Sequence, residues 1–198
     1  MAKLYFKFGA MGCSKTAQAL ITKFNYEERS MKVLLLKPSV DTRDGTDVVR
    51  SRIGLESRAV CVPADRDIYA LYTEQYRDRQ VVIVDECQFL TPEQVDQLGQ
   101  IVIDYDVPVL CFGLSTDFQT HLFPGSRRLF EIAESITEIK SVCRCGAKAT
   151  VNARFDDEGH VLFSGDQVCL GGNDRYMAMC RRCWLKCRQA QEAQGIFT

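Results

Sequence analysis

The sequence predicts an α/β fold with a parallel sheet, followed by a small C-terminal domain rich in cysteine. Three observations support this prediction. Strand-like and helix-like segments alternate over roughly the first 140 residues, the order typical of a parallel sheet. A glycine-containing loop follows the first strand-like run, and six of the ten cysteines lie after residue 140. The change near Ser141 predicts two domains, residues 1–141 and residues 142–198.

The elements of the first domain follow from short local patterns. Strands are predicted at Lys3–Phe8, Lys32–Leu36, Val81–Val84, Val109–Leu114 and Ile136–Val142, and helices over Lys15–Tyr26, Arg66–Arg77, the stretch after Thr91 and Leu129–Ala133. Continuous apolar runs such as Val81–Val84 are typical of strands that are covered on both faces. The polar stretch from Asp41 to Arg52 predicts a loop.

Two helices are supported by the spacing of their apolar residues. Ala17, Leu20, Ile21 and Phe24 recur at helical spacing in the first, and Val95, Leu98 and Val102 form one apolar face in the third. Thr91, followed by proline and then by Gln94, predicts a capping box with proline at the first helical position.

Residues 9–16 form a candidate phosphate-binding loop. They read Gly-Ala-Met-Gly-Cys-Ser-Lys-Thr after the first strand, close to the P-loop pattern G-x-x-x-x-G-K-[ST], with Ser14 where the second glycine is expected. Such a loop binds phosphate through backbone N–H groups and the start of a helix. The candidate nucleotide-binding residues are Gly9, Ala10, Met11, Gly12, Cys13, Ser14, Lys15 and Thr16. The alternative is an ordinary turn capped by Ser14 with a surface lysine.

Two acidic residues, Asp85 and Glu86, end the strand Val81–Val84, and Gln88 follows closely. Side chains at the carboxyl end of a parallel strand project into the ligand crevice. A P-loop enzyme needs one acid near Mg²⁺ and one that orients or deprotonates the nucleophile. The alternative, a solvated strand end, is weakened by the phosphate loop upstream.

A further polar segment, Asp41-Thr42-Arg43, lies just beyond the second strand. Arginine there would suit bidentate recognition of the transferring phosphate. Spacing alone favours a polar turn.

The C-terminal domain carries two cysteine pairs, Cys143 with Cys145 and Cys180 with Cys183. Four thiolates on two turns are typical of a tetrahedral structural Zn²⁺ site. Reduced core cysteines or two disulfides are the alternatives. Outside these pairs, reduced and buried thiols are expected at Cys13, Cys61, Cys87 and Cys111, while Cys169 and Cys187 are expected to have no metal role.

Composition narrows the function classes. The net charge of −1 gives no indication of nucleic-acid or anionic-membrane binding, and no apolar run approaches the length of a membrane span. The apolar N-terminal run is short and leads directly into the loop, so no signal peptide is expected and the location is predicted to be cytoplasmic.

The order of these motifs resembles the thymidine kinases of the cytosolic and bacterial type, from Tyr5 to Trp184. Further residues agree with that family: Gly113-Leu114-x-Thr116-Asp117-Phe118 and Gly171-Gly172-Asn173-Asp174-Arg175-Tyr176. The compact Cys-x-Cys-Gly sequence at Cys143 is similar to the bacterial and phage branch.

The resemblance implies a P-loop domain and a zinc-stabilised lasso that covers the nucleoside. It implies ATP-dependent phosphorylation of thymidine to dTMP, with Glu86 as general base and Mg²⁺ served by Thr16 and Asp85. It implies that Lys15 and Arg43 bind the phosphates, and that Asp41 orients Arg43. The implied thymidine pocket consists of Phe118, Gln167, Val168, Cys169, Leu170, Gly171 and Tyr176. A homotetramer inhibited by dTTP is implied as well.

Ser14 departs from the family pattern, because relatives usually place glycine there. A side chain at that position predicts weaker ATP binding if the backbone is left-handed. One rival hypothesis is therefore a nucleotide-binding paralogue with weakened catalysis. A second, suggested by the basic segment after Cys180, is a zinc-containing P-loop ATPase that acts on nucleic acid.

Overall fold

The structure is a computed structural model and describes residues 1–40, 47–167 and 175–196. The strands are β1 Leu4–Phe8, β2 Val33–Pro38, β3 Val48–Arg50, β4 Glu56–Arg58, β5 Val60–Val62, β6 Val81–Val84, β7 Val109–Gly113, β8 Ser135–Glu138, β9 Ser141–Val142, β10 Lys148–Ala149, β11 Val151–Phe155, β12 Val161–Leu162 and β13 Tyr176–Met179. The helices are α1 Lys15–Glu27, α2 Ile68–Gln75, α3 Pro92–Tyr105, α4 Pro124–Ile132 and α5 Arg181–Ala193, and a short 3-10 turn covers Cys87–Phe89.

A six-stranded sheet forms the centre of the first domain. Its strand order is β5-β2-β6-β7-β1-β8, and every neighbouring pair is parallel. Strand β7 lies between β1 and β6, so the carboxyl ends of these three strands are side by side. Loops at that edge of an open parallel sheet form the ligand crevice. The phosphate loop after β1 and the acid pair after β6 therefore meet at one edge.

Helices cover both faces of this sheet. Helices α2, α3 and α4 pack on one face, in a core that includes Phe6, Leu36 and Val84. Helix α1 packs on the other face, where Leu20 and its neighbours meet Leu35 on β2. Strands β2, β6 and β7 are buried along their whole length, which explains their continuous apolar sequences.

Local signals predicted most of these elements correctly. The capping box is confirmed: Thr91 accepts from the backbone N–H of Gln94, and the Gln94 side chain accepts from the N–H of Thr91. All three residues of the predicted apolar face of α3 are buried. In α1, Ala17 and Leu20 are buried, whereas Ile21 and Phe24 are 47% and 59% exposed.

Two predictions about strands are wrong. The segment Ile136–Val142 is not one strand: β8 ends at Glu138, opposite the end of β1 at Phe8, and Ser141–Val142 pairs with β10 in a separate sheet. The polar loop predicted over Asp41 to Arg52 contains a strand, β3, which pairs antiparallel with β4 in a short hairpin. Residues 41–46 of that segment lie outside the described residues.

Strands β4 and β5 were not predicted, and the other differences concern helices. Helix α2 is shorter than predicted at both ends and is capped by Asp67, whose side chain accepts from the backbone N–H of Ala70. Helix α4 begins at Pro124 rather than at Leu129. Helix α5 was not predicted from the sequence.

Residues 141–167 and 175–196 form a smaller unit, called here the cysteine lobe. Its sheets are β10-β9 and β12-β11-β13, and α5 packs against them. Its buried core has eight residues, among them Val151, Val161 and Trp184. The predicted boundary between residues 141 and 142 falls within β9, and the division into two domains remains a prediction.

Within the described part of the chain, no helix has both the length and the apolar character needed to cross a membrane.

Candidate active site and metal centre

The phosphate loop (residues 9–16) holds its lysine inward. The Nζ atom of Lys15 donates to the carbonyl oxygens of Gly9 at 3.1 Å and Ala10 at 2.9 Å, and it lies 3.5 Å from Sγ of Cys13. The side chain is buried at the first residue of α1. The lysine and the helix start together place positive charge where a phosphate would bind.

Ser14 lies in the left-handed region of backbone space, at φ +64°, immediately before α1. Gly12 is left-handed too, at φ +75°. A residue with a side chain is disfavoured there, and the Ser14 hydroxyl makes no capping bond that would offset the cost. The serine that replaces glycine in the motif is therefore strained.

Asp85 follows β6 and is buried beside the phosphate loop. Burial is the main cause that raises the pKa of Asp85 to about 7, and the charge of Glu86 raises it further, while the hydrogen bond with Thr16 and the charge of Lys15 oppose the shift. A hydroxyl and a carboxylate in contact are oxygen ligands of the kind that Mg²⁺ prefers. Thr16 and Asp85 therefore fit a magnesium site.

Glu86 is held in a fixed orientation by Gln88. The Nε2 atom of Gln88 donates to Oε2 of Glu86 at 2.6 Å, and its Oε1 atom accepts from the backbone N–H of Leu114 at 2.9 Å. Glu86 itself has a left-handed backbone at φ +51°. A half-buried carboxylate that a hydrogen bond holds in one orientation is suited to act as a general base.

Gly113 at the end of β7 makes room for this arrangement. A Cβ atom there would lie 2.6 Å from Oε1 of Gln88 and 2.6 Å from Sγ of Cys87. No other residue could occupy the position without displacing Gln88. The glycine of β7 thus determines where the carboxylate after β6 can lie.

Phe118, in the loop after β7, is buried against the cysteine lobe. The guanidinium carbon of Arg154 lies 3.8 Å from the centre of its ring, which is a close cation–π contact. The Nη1 atom of Arg154 also donates to the carbonyl oxygen of Asp166 at 2.9 Å. Nearby, Oδ2 of Asp117 accepts from Nε2 of Gln167 at 2.9 Å. These contacts join the loop after β7 to residues 165–167.

Four thiols of the cysteine lobe form a compact cluster. The Sγ atoms of Cys143, Cys145, Cys180 and Cys183 all lie within 4.8 Å of one another. Cys145 and Cys180 approach to 3.6 Å, and the backbone N–H of Cys183 points at Sγ of Cys180 at 3.4 Å. The spacing and the purely thiol donor set fit a tetrahedral Zn²⁺ site with no open position.

The cluster favours thiolate at some of its members. Backbone N–H groups of Cys145 and Cys180 are the main cause that lowers the pKa of Cys143 to about 6. Hydrogen bonds from the thiol of Cys183 to Cys145 and Cys180 raise the pKa of Cys183 to about 12. Thiolate is the form that binds metal, so the backbone around Cys143 is already arranged for it.

Comparison with known proteins decides the family. A sequence profile described as "Thymidine kinase" matches residues 2–184. The chain is 46% identical to a thymidine kinase of Enterobacteria phage T4, over 93% of this chain and 96% of that protein. It is 45% identical to a thymidine kinase of Zymomonas mobilis, over 92% of this chain and 95% of that protein. This chain belongs to the thymidine kinase family.

Within this thymidine kinase family member, the structure brings most of the predicted phosphate-site residues together. The phosphate loop, Asp85, Glu86 and Gln88 meet at the carboxyl edge of the sheet. Asp41 and Arg43 lie outside the described residues. Their role at the phosphates stays a prediction.

The predicted thymidine pocket is described only in part. Phe118 and Gln167 lie on the two sides of the contact between the domain and the cysteine lobe, and Tyr176 begins β13. Val168, Cys169, Leu170 and Gly171 lie outside the described residues. The nine described cysteines form no disulfide with one another, and Cys187 lies outside the metal cluster.

Sequence reasoning missed three side chains at the site. Asn152 on β11 contacts the phosphate loop, and Arg154 stacks on Phe118. Arg52, in the turn between β3 and β4, lies beside Gly12: its Nη1 atom is 3.7 Å from where a Cβ atom on Gly12 would be. No motif marks these residues. The only sequence signal was the alternation of β11, which places residues 152 and 154 on one face.

Proposed function

We propose that this protein transfers the γ-phosphate of ATP to the 5′-hydroxyl of thymidine, giving dTMP and ADP. Membership of the thymidine kinase family makes it an ATP-dependent phosphotransferase. The assignment of catalytic roles rests on one observation: Gln88 holds Glu86 in place directly after Asp85, which is hydrogen-bonded to Thr16 of the phosphate loop. No feature of the described residues favours the alternative of an ATPase that acts on nucleic acid.

The phosphate side of the reaction needs alignment and compensation of negative charge. Lys15 would exchange its bonds to Gly9 and Ala10 for bonds to phosphate oxygens, and the N–H groups at the start of α1 would face the same oxygens. Thr16 and Asp85 would hold Mg²⁺, which neutralises charge on the phosphates when bound. Arg43 is proposed to assist, oriented by Asp41.

The acceptor side needs one proton to be taken from a hydroxyl group. Glu86 is proposed to accept the proton of the 5′-hydroxyl as the phosphoryl group moves to that oxygen. The hydrogen bond from Gln88 fixes the orientation of the carboxylate in this role. Phe118, residues 167–171 and Tyr176 are proposed to surround the base. The four cysteines would hold Zn²⁺, which would stabilise the lobe that carries the covering segment.

We propose further that the enzyme is a cytoplasmic homotetramer that serves DNA synthesis and is inhibited by dTTP. The exposed apolar side chains of Ile21 and Phe24 on α1 support an association surface, because large apolar groups on one helix face favour contact with a partner. Light scattering should give four times the 22.4 kDa chain mass. Inhibition by dTTP should be competitive with thymidine.

The proposal is tested by incubating the protein with ATP, Mg²⁺ and each deoxynucleoside in turn, and by separating the products chromatographically. We expect dTMP to form much faster than any other deoxynucleoside monophosphate. Hydrolysis of ATP at the same rate with and without nucleosides, and without any monophosphate, would contradict the proposal.

A further inference from the structure

One buried side chain of the cysteine lobe contacts the phosphate loop directly. Asn152 on β11 is only 3% exposed. Its Oδ1 atom accepts from the backbone N–H of Met11 at 2.8 Å, and its Nδ2 atom donates to the carbonyl oxygen of Thr116 at 2.8 Å. The first partner is in the phosphate loop and the second is in the loop after β7. One amide therefore joins both loops to the lobe.

The two bonds fix the orientation of the amide. Only the oxygen of an asparagine can accept from an N–H, and only its nitrogen can donate to a carbonyl. Both partners are backbone groups, so the contact depends on where the two loops run rather than on their side chains. Loss of the Asn152 amide would remove the partner of an N–H and of a carbonyl in a partly buried place, which is unfavourable.

The position of Met11 makes this contact relevant to nucleotide binding. Met11 precedes Gly12, where the loop turns through a left-handed conformation, and Ser14 two residues later is left-handed as well. Such a backbone keeps its shape only if the surroundings determine it. The peptide at Met11 is held by a bond from outside the loop, while Lys15 holds the carbonyls of Gly9 and Ala10 from inside.

The strand that carries Asn152 is in turn fixed by the lobe. Asn152 pairs with Ala178 on β13, the strand that ends one residue before Cys180. The strand β13 thus connects the metal cluster to β11. On the same face of β11, Arg154 stacks on Phe118 in the proposed nucleoside pocket.

We infer that Asn152 is a positioning residue of the ATP site: the cysteine lobe preorganises the phosphate loop through this side chain. The inference rests on the proposed function in taking residues 9–16 as the site for ATP. Asn152 touches no substrate in this role. It sets the shape of the loop before the nucleotide arrives, so its loss raises the cost of ordering the loop on binding.

The test compares Asn152→Leu with Gln191→Leu. Gln191 is a matched control, because it is a buried amide of the same lobe that bonds to the backbone N–H and the carbonyl of Val161, away from the phosphate loop. Titration calorimetry with a non-hydrolysable ATP analogue and Mg²⁺ gives the affinity. We expect Asn152→Leu to weaken the affinity for the analogue about threefold to tenfold, the effect of losing the one hydrogen bond that reaches the phosphate loop. Gln191→Leu should change it by less than about twofold, even though both variants lose lobe stability.

A second readout separates positioning from general damage. With ATP saturating, the thymidine KM of Asn152→Leu should change less than its analogue affinity, because Asn152 contacts the phosphate loop directly but reaches the pocket residue Phe118 only through the backbone of Thr116. Equal losses of analogue affinity in both variants, or no loss in Asn152→Leu, would overturn the inference. Analogue binding needs no nucleoside, so this result is independent of whether thymidine proves to be the acceptor.

A measurement on the unmodified protein covers the case in which Asn152→Leu does not fold. Amide hydrogen exchange should show slow exchange at Met11, since its N–H is bonded to a buried side chain. Exchange at Met11 as fast as at an unprotected loop amide would also overturn the inference.

Discussion

The central sheet and the cysteine lobe are stabilised in different ways. The phosphate loop follows β1, an inner strand of the six-stranded sheet, and this sheet has large cores on both faces. The lobe has short strands and a buried core of eight residues, two of which are cysteines of the metal cluster. Small cores provide little stabilisation and need a metal or disulfides. We therefore expect burial to stabilise the sheet, and a metal held by the four thiols to stabilise the lobe.

The largest effect should come from breaking the metal cluster. Cys180→Ser removes one of four ligands, and metal-coupled folding of small zinc units involves on the order of 10 kcal/mol. We expect about one Zn²⁺ per unmodified chain, and loss of metal with fast amide exchange across the cysteine lobe in the variant. The thymidine KM should rise more than the ATP KM.

Cys187→Ser is the matched control for that experiment. Cys187 lies in the same lobe on α5 but outside the cluster, so this variant should retain its metal. Elemental analysis that finds no stoichiometric metal in unmodified protein purified without chelator would show that the lobe is stabilised in another way.

The next largest effect should be confined to the sheet edge. Glu86→Gln preserves the shape of the side chain and removes the base, so turnover should fall about 10²–10⁴-fold. ATP affinity should hardly change. Glu93→Gln, an exposed change in the first turn of α3, is the control and should keep full turnover. Near-normal turnover of Glu86→Gln in steady-state assays would refute its assignment as base.

A smaller effect should connect the two regions. Arg154→Met removes the contact with the Phe118 ring, and such a desolvated cation–π contact contributes about 2 kcal/mol. The thymidine KM should rise on the order of tenfold, while the ATP KM stays unchanged. Arg188→Met is the control, because Arg188 lies on the exposed side of the lobe, 5.4 Å from the Phe163 ring. A similar rise in both variants would mean that the lobe, rather than the pocket contact, is affected.

The smallest effect should come from Ser14→Gly. Glycine accepts the left-handed backbone at no steric cost, so the free energy of unfolding should rise by about 1 kcal/mol and the ATP analogue should bind more tightly. Ser30→Gly is a matched control, because Ser30 is also left-handed, at φ +59°, but lies outside the loop. It should raise stability without changing analogue affinity.

Calorimetric titration of the two serine variants distinguishes a strained Ser14 that weakens ATP binding from a Ser14 whose hydroxyl contributes to it. Weaker analogue binding by Ser14→Gly would mean that the Ser14 hydroxyl donates a hydrogen bond to phosphate. In that case the serine assists the site, and the hypothesis of a weakened paralogue loses its basis.

The elements that could be predicted from the sequence are those with local signals. The capping box at Thr91 and the apolar strand before Asp85 each occupy a few neighbouring residues, and both are confirmed. The helix α5 was missed because its sequence is mostly charged and polar, with an apolar stripe that faces a small lobe. Strand β3 was missed because three residues are too few to show a period.

The site could be predicted as far as its motifs extend. Glu86 and the four metal-cluster cysteines are recognisable by spacing, whereas Asn152 acts on Met11 across 141 positions of the chain. An isolated asparagine in a strand has no pattern that marks it. The strain at Ser14 depends on its backbone angle φ, which the sequence does not give. From the sequence, strain could be predicted only for the case of a left-handed backbone.

The exposed edge of the sheet at β8 affects how the protein aggregates when its metal is lost. Among the described strands, β8 pairs only with β1, and its last residue, Glu138, forms an ion pair with Lys148 on β10 of the cysteine lobe. An open strand edge offers unpaired N–H and carbonyl groups to other chains, and a charge at the edge discourages this pairing. A chain that has lost its metal would release Lys148 and uncover the edge. We therefore expect metal-depleted protein to leave solution as aggregates before its central sheet melts.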